Sequence, residues 1–218
     1  MEQPGEKLHF TSDYMEGAHP QVLEALIRTN TLSTQGYGQD EFCRSAEKHI
    51  LEACACPGGE VFFLSGGTQT NALVIDSLLK PYQGVLAAET GHVAVHEAGA
   101  IEFGGHKVLT IPPEAGKISA KSILEKIRAY QDDANHEHMV MPGMVYLSQP
   151  TEYGTMYSRA ELSEISRICH ENGIYLYADG ARLAYALAAP ENDVTLSDLA
   201  GLCDAFYIGG TKCGTLLG

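Results

Sequence analysis

At 218 residues, 44% hydrophobic and 19% charged, the chain has an ordinary globular composition and enough length to bury one sizeable core. Its 28 acids against 14 Lys and Arg give a formal net charge of -14 with no basic cluster, which opposes binding to nucleic acid or to an anionic membrane. Small molecules and further copies of the chain are the expected partners. The first residues, Met1 to Glu6, are polar and acidic rather than a signal peptide, and no apolar run approaches the roughly 20 residues of a membrane span. The six cysteines (43, 54, 56, 169, 203 and 213) read as reduced core thiols of a cytoplasmic protein. Cys54 and Cys56 form C-x-C without a second pair or His cluster to complete a zinc site, so no metal is expected.

Helix and strand alternate along most of the chain. His19-Pro20 opens a helix with Val22, Leu23, Leu26 and Ile27 at helical spacing, and Asp40 caps a second carrying Phe42, Ala46, Ile50, Leu51 and Ala53. Val61 to Leu64 reads as a short buried strand, followed by Gly66-Gly67 and a helix through Leu79. Strands are expected at 84–88 and 108–111, with a helical segment from His92 to about Ala100 between them. Ser119 to Asn135 is an amphipathic helix, Met139 to Leu147 a central strand, and Ser158 with Glu161 a capping box for a helix reaching Gly173. Strands at 174–178 and 204–209 complete the series. The pattern implies a three-layer α/β fold, a mostly parallel sheet with helices on both faces and functional loops at the carboxyl ends of its strands. No repeat or long linker divides it, so residues 1–218 are expected to form one domain with an N-terminal arm over about 1–20.

Three segments at strand ends carry unusual chemistry. Leu64-Ser65-Gly66-Gly67-Thr68 runs into a helix whose free N–H groups, with the Thr68 hydroxyl, can hold a phosphate; by itself such a segment is more often a simple turn. Asp179-Gly180-Ala181-Arg182 places a carboxyl at a strand terminus, as a helix cap or as a functional acid, with a guanidinium suited to carboxylate recognition beside it. Gly209-Gly210-Thr211-Lys212 sets a lysine among glycines after a buried strand. A lysine and an acid, each just past its own strand, are two fixed points that a pyridoxal phosphate enzyme requires. His92, at a predicted helix start, is open to a structural reading as well.

Together and in this order the segments resemble the large domain of fold-type I pyridoxal phosphate enzymes, within them the threonine aldolase and β-eliminating lyase family. The residues that carry the resemblance are Ser65-Gly66-Gly67-Thr68-x-x-Asn71, His92 with Glu97-Ala98-Gly99-Ala100, Asp179-Gly180-Ala181-Arg182-Leu183 and Gly210-Thr211-Lys212, and it runs from about Phe10 to the last residue. It implies that Lys212 holds the cofactor aldehyde, Asp179 pairs with the pyridine nitrogen and His92 stacks on the ring. Gly67 and Thr68 would bind the phosphate with help from Thr211. Arg182 would lie near the cofactor and the substrate carboxylate, Ser12 would touch that carboxylate, and Tyr37 would reach toward the site. The segment Ser148 to Gly154 departs from the family's Glu-x-Thr-His-Asn pattern, which bears on the substrate.

The implied reaction is retro-aldol cleavage of threonine or allo-threonine to glycine and acetaldehyde, with His92 the candidate base and an amino acid as the substrate. Homodimers or homotetramers are implied, as is a small C-terminal domain, supplying another arginine, beyond the residues given. Two rival readings stay open: another fold-type I reaction such as β-elimination or transamination, and an inactive cofactor-binding fragment.

Overall fold

The computed structural model describes Lys7 and residues 9–217; the other residues of the expected N-terminal arm, 1–6 and 8, and Gly218 lie outside the described residues. Within these, five strands form one sheet: β1 (Gln83–Ala88), β2 (Val108–Ile111), β3 (Met141–Ser148), β4 (Tyr175–Asp179) and β5 (Ala205–Phe206). They run in the order β2-β1-β3-β4-β5 and every pair is parallel. The helices are α1 (Pro20–Thr29), α2 (Glu41–Ala53), α3 (Gly67–Leu78), α4 (His92–Val95), α5 (Ala100–Phe103), α6 (Ala120–Gln131), α7 (Arg159–Glu171), α8 (Leu183–Ala188) and α9 (Leu196–Leu202). None of the described helices is long and apolar enough to cross a membrane.

The central strands are buried on both faces, which is why they read as nearly continuous apolar runs. Alternation along each strand divides the side chains between two cores. Val85, Ala87, Met144, Tyr146 and Tyr177 face Ile75 of α3, Val93 of α4 and Ile101 of α5. Leu86, Val145, Leu147, Leu176 and Ala178 face Ile123 and Ile127 of α6, Leu162, Ile165 and Ile168 of α7, and Leu199 of α9. These two layers of helices on one sheet are the expected three-layer architecture. The connection from β1 leads to β2 on one side, and the chain then returns past β1 to β3 and onward the other way. Loops diverge at such a switch point and leave room for a ligand at the carboxyl ends.

Local signals explain most element starts. Asp40 accepts from the backbone N–H of Phe42 and Cys43, both at 2.9 Å, to begin α2. Ser158 and Glu161 close the capping box of α7, and Thr195 with Asp198 does the same for α9.

Several expectations need correction. Residues 61–64 form no strand, and Phe62 is 76% exposed. An apolar run supplies side chains but not the neighbouring backbone that a ladder requires, and no described strand lies beyond β5 to pair with it. The helix expected over 92–100 is two short helices, because Ala98 (φ 50°) and Gly99 (φ 75°) reverse the chain between them. The helix expected to reach Asn135 ends at Gln131. Regular pairing over 204–209 is confined to Ala205–Phe206, although Tyr207 and Gly209 still donate to Ala178 and Gly180. The helices α8 and α9 stand where none was expected. Neither α1 nor α2 buries a residue, so their apolar spacing forms helices without a covered face among the described residues. Cys54 and Cys169 are core thiols, whereas Cys213 is exposed and the other three are half-buried.

Candidate active site

Asp179 is the last residue of β4 and only 3% exposed. Its Oδ2 accepts from Asn71 Nδ2 at 3.0 Å and from the Tyr146 hydroxyl, and its Oδ1 accepts from the Ala181 backbone N–H at 2.9 Å. The Tyr207 hydroxyl bonds to it as well. A buried carboxyl persists only with such donors, because they replace the water it loses. The donors come from α3, from β3 and from the segments that follow β4 and β5. Asn71 stands one helical turn past Gly67 on α3, and Tyr146 and Tyr177 are register partners on β3 and β4 with rings 5.8 Å apart. Tyr177 donates to Asn71 Oδ1 at 2.7 Å, fixing the amide so that its N–H groups face the acids. Burial first, and then the charge of Asp179, pushes the hydroxyls of Tyr146, Tyr177 and Tyr207 upward, so all three remain donors at neutral pH.

His92 opens α4 just past the end of β1. Its Nδ1 lies 2.7 Å from Glu97 Oε1, and its backbone N–H donates to Glu152 Oε1 at 2.9 Å. The hydrogen bond to Glu97 raises the imidazole above its ordinary range. Burial opposes that rise, the charges of Glu97 and Asp179 add to it, and Lys212 subtracts from it. Both Asp179 and Lys212 thus act electrostatically on one ring.

Lys212 sits in a 3-10 turn, Thr211–Cys213, that Gly214 closes at φ 83°. Its ammonium is 3.7 Å from Asp13 Oδ1 and 5.9 Å from the Tyr14 ring centroid. Its carbonyl accepts from the Tyr185 hydroxyl at 2.7 Å. Arg182 grips the same Asp13 through Nε and through a second nitrogen at 3.2 Å. Burial pushes the Asp13 carboxyl up, but the hydrogen bond from Arg182 and the charges of Lys212 and Arg182 outweigh it and hold the carboxyl below its ordinary value. Two adjoining clefts flank the cluster. One of about 660 Å³ is lined by Ser12, Asp13, Arg182 and Tyr185 among others, and one of about 330 Å³ reaches Thr211 and Lys212. The Ser12 hydroxyl is buried with no hydrogen-bond partner.

Close backbone approaches explain two of the glycines. A Cβ on Gly67 would lie 2.7 Å from the Tyr207 hydroxyl, and one on Gly180 would lie 1.9 Å from the Tyr207 carbonyl oxygen. Among the described residues no side chain caps α3, whose first N–H groups belong to Gly67 and Thr68. Thr68 itself is exposed. Tyr37 is fully exposed between α1 and α2 at φ 61° and does not join the cluster.

Residues 9–216 match the model of one protein family, described as beta-eliminating lyase. The chain belongs to the beta-eliminating lyase family. A low specificity L-threonine aldolase of Pseudomonas sp. is 37% identical over 96% of this chain and 60% of its own length. A threonine aldolase structure from Leishmania major is 46% identical, with a TM-score of 0.91 over 94% of this chain and 59% of that one. An aspartate aminotransferase of Thermus thermophilus, 15% identical, shares the fold, with a TM-score of 0.64 over 85% of this chain and 47% of that one. The chain spans about three fifths of the length of the relatives it matches.

Sequence reasoning gave no role to Asp13, Asn71, Glu97, Glu152, Tyr146, Tyr177 or Tyr207. Asn71 was open to discovery, being on the helical face of Gly67, and Tyr177 stands two residues before Asp179 on one strand face. Nothing local marks Tyr146 or Tyr207, which meet Asp179 only through the sheet and its edge.

Proposed function

We propose that this chain is the cofactor-binding part of a pyridoxal phosphate-dependent aldolase that cleaves threonine and allo-threonine to glycine and acetaldehyde. The observation that carries the reading is the buried carboxyl of Asp179 at the end of β4, held by the Asn71 amide, the Tyr146 hydroxyl and the Ala181 backbone N–H. The donor set fits the cofactor: an acid for the pyridine nitrogen, a lysine for the aldehyde, and an uncapped helix terminus for the phosphate. Ser12, with its buried and unpartnered hydroxyl, suits a carboxylate.

Asp179 would hold a proton at the pyridine nitrogen, and Lys212 would supply the amine for the aldehyde. Gly67 and Thr68 would bind the phosphate, with Thr211 beside them. When bound, pyridoxal phosphate supplies a ring able to accept the electron pair left as Cα–Cβ breaks. His92 would cover the ring and take the β-hydroxyl proton. Arg182 would exchange Asp13 for the substrate carboxylate, next to Ser12. Tyr37 and the uncovered apolar residues of α1 suit a homodimer or homotetramer with sites at a subunit interface. The six free thiols suit a cytoplasmic setting, and residues 1–218 a single large domain.

The test is spectroscopic and chemical. Added pyridoxal phosphate should give a protein-bound visible band that Lys212→Ala abolishes, and threonine should release acetaldehyde. An unchanged band in the variant would remove Lys212 from its role. The family description favours elimination as the second reading; ammonia and a keto acid in place of acetaldehyde would establish it.

A further inference from the structure

We propose that Glu97 is a positioning residue that fixes the imidazole of His92 with its proton on Nδ1 and its lone pair on Nε2. Its role in turnover rests on the aldolase reading above; its coupling to His92 does not. Glu97 has a fully inaccessible side chain, whereas that of His92 is 34% accessible. Two nitrogens converge on one oxygen: Glu97 Oε1 lies 2.7 Å from His92 Nδ1 and 2.6 Å from Asn71 Nδ2, whose N–H donates to it. Its Oε2 is buried and has no hydrogen-bond partner. Imidazole is the stronger base of the two, by about two pKa units in water, and a carboxylate Oε1 can accept from Nδ1 and Asn71 together, so the proton of the pair belongs on the imidazole. In a neutral ring that leaves Nε2 as the acceptor.

The acid cannot drift from this place. The reversal at Ala98 and Gly99 returns its side chain to His92, and the Ala100 N–H bonds to its carbonyl at 3.0 Å. Asn71 is held by Tyr177 and spends its other contact on Asp179, so a continuous path joins the ring of His92 to Asp179. A buried carboxyl with one bare oxygen also favours a cation beside it, and His92 is the group in contact that can become one. A proton taken at Nε2 would thus be stabilised by Glu97 through Nδ1–H, as in other carboxylate–histidine pairs.

The other groups around the ring are Glu152, whose carboxyl holds the His92 backbone N–H, His96 at 5.8 Å between ring centroids, and the charges of Asp179 and Lys212. Among the described acids, only Glu97 touches a ring nitrogen of His92.

Side-chain nitrogen spectra of His92, recorded against pH on the full chain without cofactor, test this directly. The wild type should show Nδ1 protonated and Nε2 bare in the neutral ring, with a midpoint above that of a free histidine. Glu97→Gln should lower the midpoint by about one unit, a tenfold loss of proton affinity, and mix the tautomers. Glu97→Asp, which keeps the charge, should recover part of the shift; it also serves as the reading if Glu97→Gln does not fold, as judged by circular dichroism. Glu152→Gln should move the midpoint less.

With cofactor and threonine, Glu97→Gln should lower kcat about 10- to 100-fold with KM within about twofold, and the acid limb of the pH profile should move to lower pH. An unchanged His92 midpoint and tautomer in a folded Glu97 variant overturns the proposal, as does a larger shift from Glu152→Gln. A nitrogen shift together with ammonia and a keto acid in place of acetaldehyde would sink the aldolase reading and leave the Glu97–His92 coupling standing.

Discussion

Asn71→Asp exchanges one amide nitrogen for oxygen with almost no change of volume. Asn71 is completely buried, and its Nδ2 donates to Glu97 at 2.6 Å and to Asp179 at 3.0 Å. Both acceptors are carboxyl groups, and bonds of that kind contribute about 1.5–3 kcal/mol each. Losing the pair therefore costs about 3–6 kcal/mol, a large share of the roughly 5–15 kcal/mol that holds an ordinary domain together. The Tyr177 bond to Oδ1 survives, so the loss reports the two donor bonds and the new like charges. With a urea m-value of about 3 kcal/mol/M, the unfolding midpoint at pH 7 should fall by about 1–2 M. The pH dependence has a definite sign. Two neighbouring acids raise the folded pKa of the introduced carboxyl above its unfolded value of about 3.9. Its penalty is complete above the raised value and fades as pH falls toward the unfolded one. Urea melts at several pH values measure the difference from wild type. A midpoint within about 0.3 M of wild type at pH 7, or a difference that does not shrink in acid, refutes the reasoning.

Two further perturbations test the site's supports. Gly180→Ala sets a methyl 1.9 Å from the Tyr207 carbonyl oxygen, so β4 and the segment after β5 must separate, at a cost above about 3 kcal/mol. Gly201→Ala, in α9 with nothing within 4 Å, should instead stabilise by about 0.5–1 kcal/mol; urea melts that rank the two in the opposite order contradict the packing. Asp13→Asn removes a carboxyl whose folded pKa is lowered, so the lost stability is present above the unfolded value near 3.8 and disappears as pH falls through the lower folded value. Because that side chain is 37% exposed, the difference at pH 7 should be no more than about 1 kcal/mol, and a thermal-melt difference that does not shrink as the pH falls argues against the ion-pair origin.

The elements that were legible carry complete local signals. The strand at 108–111 has the expected bounds, and α7 begins at its Ser158–Glu161 box. The Thr195–Asp198 box of α9 is an equally complete signal for a helix of only seven residues, and α8 is too short for its periodicity to stand out. Residues 61–64 misled because an apolar run resembles a strand whether or not a partner exists. The break at Ala98–Gly99 escaped because only the glycine advertises it, although that break returns Glu97 to His92.

By itself the sequence determined the alternation of helix and strand, the sidedness of the central strands, and the placement of Lys212, Asp179, His92 and Gly67-Thr68 at strand or helix ends. Those properties follow from nearest neighbours: periodicity, capping residues and glycine conformation act within a few positions. Only the tertiary structure decided that Asn71, Glu97, Tyr146 and Tyr207 surround Asp179 and His92, and that Asp13 bridges Arg182 to Lys212. Asn71 and Asp179 lie 108 positions apart and Asp13 and Arg182 169 apart. What brings such residues together is the strand order and register of the sheet, set by the burial of two whole cores rather than by any single residue.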